Sequence, residues 1–452
     1  MNKRHGARAL ACAVAGAALT GHFAFAAPPQ VPSLPTQTAG YVNYAVTSLP
    51  AQYKAAAVTA LNNTPADNPI TDAGATLGRV LFYDTRLSGN NTVSCSSCHH
   101  QSNGFSDPNQ VSVGINGQLG TRHAMGLSNV AFYADGKMFW DERAASVEAQ
   151  ALVPIQSATE MGSTLSDVVT KLSQTTYYPT LFQAAFGTSD VTSDRIGKAV
   201  AQFERSMVSY QSKFDLVLEG KATLTTDEAA GRTIFNGQGK CSTCHTTNAD
   251  SMDRIHNTGL DAVSTDVGAG NGQFKSPSLR NVAVRGRFMH DGRFSTLDQV
   301  VNFYNTGVQQ NPNLDPALRQ PLGLTSTQVT QLVDFLGTLT DNTFLTSSLF
   351  SNPFATLAGD YNGDGVVDAK DYDVWRQNFG DTTSLVADGN GDGVVNAADY
   401  VVWRGNLGHT WQSLATGSSL AAGNSVVPEP TTMALGIAAI SWMITIRRRR
   451  LY

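Results

Sequence analysis

Two short strings of the same form constrain this chain more than any other feature of its sequence: CSSCH at 95–99 and CSTCH at 241–245. Two thiols three positions apart can add across the vinyl groups of one haem, and the imidazole that follows then lies beneath the porphyrin as an iron ligand. A zinc site or a redox disulfide would not require a histidine directly after each cysteine pair. We therefore predict two c-type haems, each bound covalently to its own region of the chain.

Each string is expected to supply two thioether bonds and one proximal iron ligand. The attachment residues are Cys95, Cys98 and His99 for the first haem, and Cys241, Cys244 and His245 for the second. The sixth position of each iron decides its role, because an open site can bind peroxide and a second protein ligand closes the site for electron transfer.

The N-terminal residues 1–26 have the pattern of a secretory signal peptide. Basic residues precede an apolar run that ends at the small-residue sequence AFA at 24–26. Cleavage there would also remove Cys12, so every cysteine of the mature chain would lie in a CxxCH string. The pattern predicts export.

The C-terminal residues 427–452 combine the sequence VPEP at 427–430, an uncharged apolar run at 431–446 and four arginines at 447–450. As a helix the run would reach about 24 Å, less than the ~30 Å hydrocarbon core of a bilayer. These features resemble the PEP-CTERM sorting signal of Gram-negative bacteria, and a plain membrane anchor is the alternative. Both predict membrane contact through this segment, in the periplasm, the cell envelope or at the cell surface of a Gram-negative bacterium.

Helical periodicity dominates the region between the termini. Thr225 and Glu228 have the spacing of a capping box, and apolar residues recur at helical intervals in 193–210 and 325–340. Strand-like alternation is scarce, so we predict a mainly α fold with two cytochrome c-like haem domains and a C-terminal apolar helix. The predicted boundaries are 27–73 for an N-terminal extension, 74–215 for the first haem domain and 216–350 for the second. A net charge of −5 without a basic field argues against a nucleic-acid partner.

Five strings stand in this order between about residues 74 and 340: LFYDTRLSGNNTVSCSSCH, MFWDERAASVEAQALVPIQSATEMG, KCSTCH, SPSLRNVAVRGRFMHDGRFSTLDQVVNFYNTG and NPNLDPAL. In content and order they resemble the bacterial dihaem cytochrome c peroxidases, especially the MauG-like branch. The resemblance implies a peroxidatic first haem and an electron-transfer second haem.

The resemblance also implies roles for three residues near the first haem. Glu160 matches the family's distal carboxylate and Gln150 its distal amide, while Trp140 matches the tryptophan that lies between the two haems and helps carry electrons. A carboxyl group within reach of bound peroxide can move a proton from the inner to the outer oxygen, so that water becomes the leaving group. Gln150 would hold the oxygen in place.

Three positions depart from the family pattern. Glu142 stands where the FWDGRA-type string usually has glycine, which puts the local backbone geometry in doubt. Ile115 stands where some relatives have a histidine that blocks the first haem, which implies an open first haem that needs no reductive activation. His123 replaces an asparagine that helps to bind an interdomain calcium ion, so that calcium site is in question; His123 is also a possible stand-in for the absent distal histidine.

For the second haem, Tyr304 matches the place where the family uses either methionine or tyrosine as the sixth ligand. A phenolate would lower the potential of the iron and a thioether would raise it. Met289, in RFMHDGR, is the competing ligand. We favour Tyr304.

Near the C-terminus, an acidic repeat begins at Asp360 and again at Asp388, and each copy has the spacing of an EF-hand loop followed by one helix. The predicted calcium ligands are Asp360, Asn362, Asp364, Val366, Asp368 and Asp371 in the first loop, and Asp388, Asn390, Asp392, Val394, Asn396 and Asp399 in the second. The pair resembles a type I dockerin, at 357–410 with a linker at 411–426, and this resemblance implies a cohesin partner.

Together these features predict a dihaem c-type cytochrome peroxidase that reduces hydrogen peroxide to water, exported and docked through its dockerin. A small cytochrome c or a copper protein is the expected electron donor. Two alternatives stay open: a MauG-like oxidase that acts on a protein or a small organic substrate by long-range electron transfer, and a non-catalytic dihaem electron carrier.

Overall fold

A computed structural model describes residues 32, 44, 49–246, 254–354, 357–362, 366–382, 387–390 and 392–409. The predicted signal peptide, the linker at 411–426 and the apolar C-terminal run lie outside these residues. Within the described ranges, no helix has both the length and the apolar character needed to cross a bilayer.

The described chain is mainly helical, as the sequence predicts. Its α-helices are α1 (Ala51–Lys54), α2 (Ala56–Thr59), α3 (Asp72–Tyr83), α4 (Val147–Gln156), α5 (Leu165–Ser173), α6 (Tyr178–Phe186), α7 (Ser193–Ser206), α8 (Lys213–Leu218), α9 (Thr226–Asn236), α10 (Leu297–Asn302), α11 (Ser326–Gly337), α12 (Asn342–Thr346), α13 (Ala369–Asn378) and α14 (Ala397–Gly405). The short strands β1 (Ile255–His256) and β2 (Phe274–Lys275) pair antiparallel, with Ile255 opposite Lys275.

Two regions of the chain, each carrying one CxxCH string, are built on one pair of closely crossed helices each: the first module on α3 and α7, and the second module on α9 and α11. Helix α3 crosses α7 at Gly78, where a Cβ atom would lie 1.9 Å from the carbonyl oxygen of Ala199. Helix α9 crosses α11 at Gly231, where a Cβ atom would lie 1.9 Å from the carbonyl oxygen of Gln331. Only glycine allows two helix backbones to approach so closely, and the same device in both modules indicates two copies of one structural plan.

Helix starts and apolar stripes follow the sequence pattern. The predicted capping box of Thr225 and Glu228 is present at the start of α9. Helix α7 buries Val200 and Phe203, and the Phe203 ring lies 5.4 Å from that of Phe82 on α3. The first core also receives Phe344, from α12, whose ring lies 5.6 Å from that of Phe105. The chain therefore returns from the second module to pack against the first.

A nine-residue loop recurs in both modules, as GKMFWDERA at 136–144 and GRFMHDGRF at 286–294. Single antiparallel bridges close the two copies, from Met138 to Ala144 and from Phe288 to Phe294. The two loops are therefore structural equivalents.

The backbone of these loops has the same conformation at two equivalent positions. Phe139 and Met289 both have φ 69°, and Glu142 and its equivalent Gly292 have φ 54° and 66°. Glu142 thus occupies a left-handed backbone position that favours glycine.

Candidate active site

The first CxxCH string opens onto a cavity of about 420 Å³. Cys95, Cys98 and His99 line this cavity. Gln150 and Glu160, which come later in the chain, line it as well. The thiols of both CxxCH strings are free of disulfide bonds. The cavity and its two adjacent thiols fit a planar group held by two thioether bonds.

The second string opens onto its own cavity of about 200 Å³. Cys241, Cys244 and His245 line it together with mostly aliphatic and aromatic side chains from α9, α10 and α11. An apolar surround of this kind suits a porphyrin whose iron exchanges electrons without binding substrate.

His99 has the geometry of an iron ligand prepared by its surroundings. Its Nδ1 lies 2.8 Å from the carbonyl oxygen of Phe105. Because a carbonyl can only accept, Nδ1 carries the proton and Nε2 keeps its lone pair for a metal. Burial lowers the pKa of His99, which favours the neutral ring.

Glu160 lies in the turn after α4, and the backbone of its neighbours fixes that turn. The backbone N–H of Ile115 donates to the carbonyl oxygen of Glu160 at 2.7 Å. A Cβ atom at Gly114 would lie 2.1 Å from the carbonyl oxygen of Thr159, so the two segments touch through glycine. Burial raises the pKa of Glu160. The Ile115 segment therefore holds the turn that carries this carboxyl group.

Gln150 and Trp140 also line the first cavity. Gln150 lies on α4, and none of the hydrogen bonds found among the described residues uses its side-chain amide, which leaves that amide to the cavity. Trp140 lines both the first and the second cavity. Its Nε1 donates to the carbonyl oxygen of His123 at 2.7 Å, and its ring lies 6.5 Å from that of His290.

Both candidate sixth ligands, Tyr304 and Met289, line the second cavity. Tyr304 belongs to a π-helical turn, Phe303–Gly307, that follows α10 directly. Such turns are rare and are common at functional sites. Burial raises the pKa of Tyr304.

His123 is held by the protein through both ring nitrogens. Its Nε2 lies 3.0 Å from the Ser106 hydroxyl oxygen, and its Nδ1 lies 3.2 Å from the carbonyl oxygen of Asn109. Burial lowers the pKa of His123 to about 4, so the ring is neutral near pH 7. These contacts fix the orientation of the His123 ring.

Sequence reasoning missed three residues that line the first cavity: Tyr133, Glu204 and Lys275. Glu204 occupies the last turn of α7, where burial raises its pKa to about 8. Lys275 is buried and lines both cavities. The string FKSPSLR could have drawn attention to Lys275, but nothing local distinguishes it from a surface lysine.

The acidic repeats form a small domain whose two halves have the same hydrogen-bond arrangement. The Asp371 carboxylate accepts the backbone N–H groups of Tyr361 and Asp368, both at 2.8 Å. The Asp399 carboxylate accepts those of Asn390 at 3.1 Å and Asn396 at 2.7 Å. Each carboxylate thus closes its own loop in the same way.

The helices after the two loops cross-link the halves. Trp375 Nε1 donates to the carbonyl oxygen of Asn396, and Trp403 Nε1 to that of Asp368, both at 2.8 Å. The predicted ligand Asp364 lies outside the described residues. Among the described residues, those of the two loops included, no three His, Cys, Asp or Glu side chains come together in a way that could hold a metal ion.

Comparison with known proteins gives matches to both parts of the chain. The family model described as di-haem cytochrome c peroxidase matches residues 72–223 and 232–324. The model of the type I dockerin domain matches residues 358–407.

Curated relatives match the haem-binding part. The methylamine utilization protein MauG of Methylorubrum extorquens is 35% identical over 288 residues, which cover 61% of this chain and 80% of the relative. Cytochrome c551 peroxidase of Nitrosomonas europaea is 33% identical over 312 residues, which cover 65% of this chain and 89% of the relative.

Solved structures share the fold. A MauG-like protein associated with microbial copper homeostasis is 32% identical, with a TM-score of 0.59 over 65% of this chain and 97% of that protein. The diheme peroxidase BthA from Burkholderia thailandensis is 23% identical, with a TM-score of 0.53 over 64% of this chain and 91% of that protein.

Proposed function

The chain belongs to the di-haem cytochrome c peroxidase family and carries a type I dockerin domain, and on that premise we propose that it reduces hydrogen peroxide to water with electrons from a small redox protein. The observation that supports this most is that Glu160 and Gln150 line the same cavity as His99. The first haem, when bound, supplies the iron that binds peroxide and exchanges electrons with it.

Glu160 moves the proton. As a carboxylate it takes the proton from the peroxide oxygen nearer the iron and returns it to the outer oxygen, so that the O–O bond breaks with water as the leaving group. The Gln150 amide donates a hydrogen bond that holds the inner oxygen. Over a full cycle, one peroxide, two electrons and two protons give two waters.

Ile115 leaves the distal side of the first haem free for peroxide in the oxidised enzyme. An isoleucine side chain has no atom that can ligate iron, and its backbone is engaged with the Glu160 turn. His123 is held by Ser106 and Asn109. We therefore propose that the enzyme needs no prior reduction.

Electrons pass through the wall that separates the two cavities. Trp140 is suited to this because it lines both cavities and its indole N–H is anchored on a backbone carbonyl. Tyr304 is the proposed sixth ligand of the second haem, with Met289 as the alternative. The π-helical turn around Tyr304 supports this choice.

The remaining proposals concern location and partners. The mature chain is exported after cleavage of residues 1–26, and its dockerin, with calcium in both loops, binds a cohesin. The segment 427–452 sorts or anchors the chain in the envelope of a Gram-negative bacterium. A small cytochrome c or a copper protein docks near the second haem as the electron donor.

Steady-state turnover tests the main proposal. Purified holoprotein with reduced cytochrome c and hydrogen peroxide should oxidise two cytochromes for each peroxide consumed. A variant without the first haem, Cys95→Ala with Cys98→Ala, should lose this activity while the second haem stays attached. Equal turnover in that variant would refute a peroxidatic first haem.

A MauG-like oxidase is the second candidate, because the relatives include proteins named MauG. It would consume peroxide with little turnover of reduced cytochrome c, and would instead oxidise a protein or organic donor added in its place. A dihaem electron carrier would react with peroxide in neither assay.

A further inference from the structure

A tyrosine in the wall of the first cavity is paired with a glutamate that lies behind that wall. Tyr133 lines the same cavity as Trp140 and is 3% exposed. Its hydroxyl donates to a carboxylate oxygen of Glu142, whose side chain is 9% exposed. The pair therefore places a phenol and a proton acceptor in direct contact, next to the predicted peroxidatic haem.

The backbone at Glu142 is unfavourable for this residue. Its φ of 54° lies in the left-handed region, and the equivalent position in the second module is Gly292. A non-glycine residue there costs about 1 kcal/mol or more. Strained residues of this kind are concentrated at functional sites. Unlike glycine, Glu142 has a side chain, and its carboxylate accepts a hydrogen bond from the Tyr133 hydroxyl and lies 3.9 Å from Lys137 Nζ.

Lys275 controls the charge around the phenol ring. Its Nζ lies 3.6 Å from the centre of the Tyr133 ring and donates to the carbonyl oxygen of Lys137 at 2.9 Å. Its backbone N–H donates to the carbonyl oxygen of Trp140 at 2.8 Å. Burial lowers the pKa of Lys275 to about 7. In its ammonium form, the group over the ring opposes positive charge on that ring, so an electron leaves Tyr133 readily only if the phenolic proton leaves with it.

Trp140 has no such proton acceptor. Its indole N–H donates to a backbone carbonyl, that of His123, and a carbonyl oxygen is far too weakly basic to take the proton. Oxidation of Trp140 would therefore leave a positive charge, whereas oxidation of Tyr133 can leave a neutral radical. The two side chains are chemically different sites for an oxidising equivalent.

We propose that Tyr133 is a redox-active residue that stores one oxidising equivalent, with Glu142 as its proton acceptor. One electron would leave the Tyr133 phenol for the one-electron acceptor that the first haem would supply after it has reacted with peroxide, while the O–H bond breaks and its proton moves to the Glu142 carboxylate. The products are a neutral tyrosyl radical and a protonated Glu142. An electron from the external donor then reduces the radical to a phenolate, which takes the proton back from Glu142 and becomes the phenol again. This inference rests on the proposed peroxide chemistry of the first haem.

Electron spin resonance of the holoprotein tests the proposal. The oxidised enzyme, mixed with one equivalent of peroxide and frozen at intervals, should give a tyrosyl signal that narrows when the protein contains ring-deuterated tyrosine. Tyr133→Phe should abolish this signal. Glu142→Gln, which cannot take the proton, should lower its yield at least fivefold, and so should Glu142→Gly, which also matches Gly292 and keeps the backbone relaxed.

A second buried tyrosine–carboxylate pair provides the matched control. Tyr178 is fully buried and its hydroxyl donates to Asp84 at 2.7 Å, but it lines neither cavity. Tyr178→Phe should leave the signal unchanged. If Tyr133→Phe, or both Glu142 variants, react normally with peroxide by optical spectroscopy and keep the tyrosyl signal unchanged, the inference is overturned and the proposed function is not. Absence of any reaction with peroxide would overturn it together with the proposed function.

Discussion

Replacement of Glu160 by glutamine tests the proton-transfer step. The amide has nearly the size and shape of the carboxyl group, but it cannot accept and return a proton. A positioned acid–base group contributes a factor of roughly 10² to 10⁴ to the rate. The size of the rate loss within this range depends on whether another group in the cavity can transfer the proton in place of Glu160.

The cavity offers poor substitutes. Asp141 and Asp266 both lie 2.7 Å from the Arg122 guanidinium, and this arginine helps to hold the pKa of each aspartate below its usual value. Glu204, with a pKa of about 8, is protonated near pH 7 and cannot act as the acceptor. We therefore expect kcat/KM for peroxide to fall about 10³-fold, or about 4 kcal/mol.

The pH profile gives the second readout. The carboxylate is the active form, and burial raises the pKa of Glu160, so kcat/KM should rise with pH through a value above the ~4.3 of an ordinary glutamate. Glu160→Gln should lack this limb. Glu219→Gln, which changes an acid outside both cavities, is the control. A loss of less than tenfold, or a retained acid limb in Glu160→Gln, would refute the reasoning.

Three further predictions follow from the fold. Gly231→Ala should lower the free energy of unfolding by ~3 kcal/mol, because its Cβ would lie 1.9 Å from a backbone oxygen of α11; an unchanged denaturation midpoint would show that the helices can separate. Tyr304→Phe should change the low-spin resonance signal of the second haem and Met289→Leu should not, and the reverse result would make methionine the ligand. Burial raises the pKa of Glu204 to about 8 in the folded protein, so the contribution of this residue to stability is lost as the pH rises from ~4.3 to 8. The free energy of unfolding of Glu204→Gln, relative to that of wild type, should therefore increase by ~1 kcal/mol or more over that interval. Parallel curves of stability against pH for the two proteins would contradict this.

Patterns that are local in sequence predicted much of this molecule. Capping at Thr225 and the apolar stripe of α7 depend on residues within a few turns of each other, and both are present. The CxxCH strings carry their own chemistry, and the acidic repeats their own spacing. These features can be predicted because the physical cause lies within about twenty residues.

The rest depends on contacts between distant segments. Lys275 is buried because β2 packs its side chain against Tyr133, and no neighbour in sequence reveals that. Glu204 lies four residues after Val200, on the buried face of α7 where the helical pattern places apolar residues, and the cavity that it lines is formed by distant segments. The sequence shows that Glu142 replaces a glycine, but only the folded chain shows that Glu142 accepts a hydrogen bond from Tyr133.

The most direct test of the central claim is an anaerobic mixing experiment with the fully oxidised holoprotein and one equivalent of hydrogen peroxide. If the sixth position of the first haem iron is open on the side of Glu160, the optical spectrum should change directly after mixing. The low-spin and high-spin resonance signals should change at the same time. If the oxidised enzyme does not react with peroxide until it has been reduced by one electron, the proposed open first site is wrong.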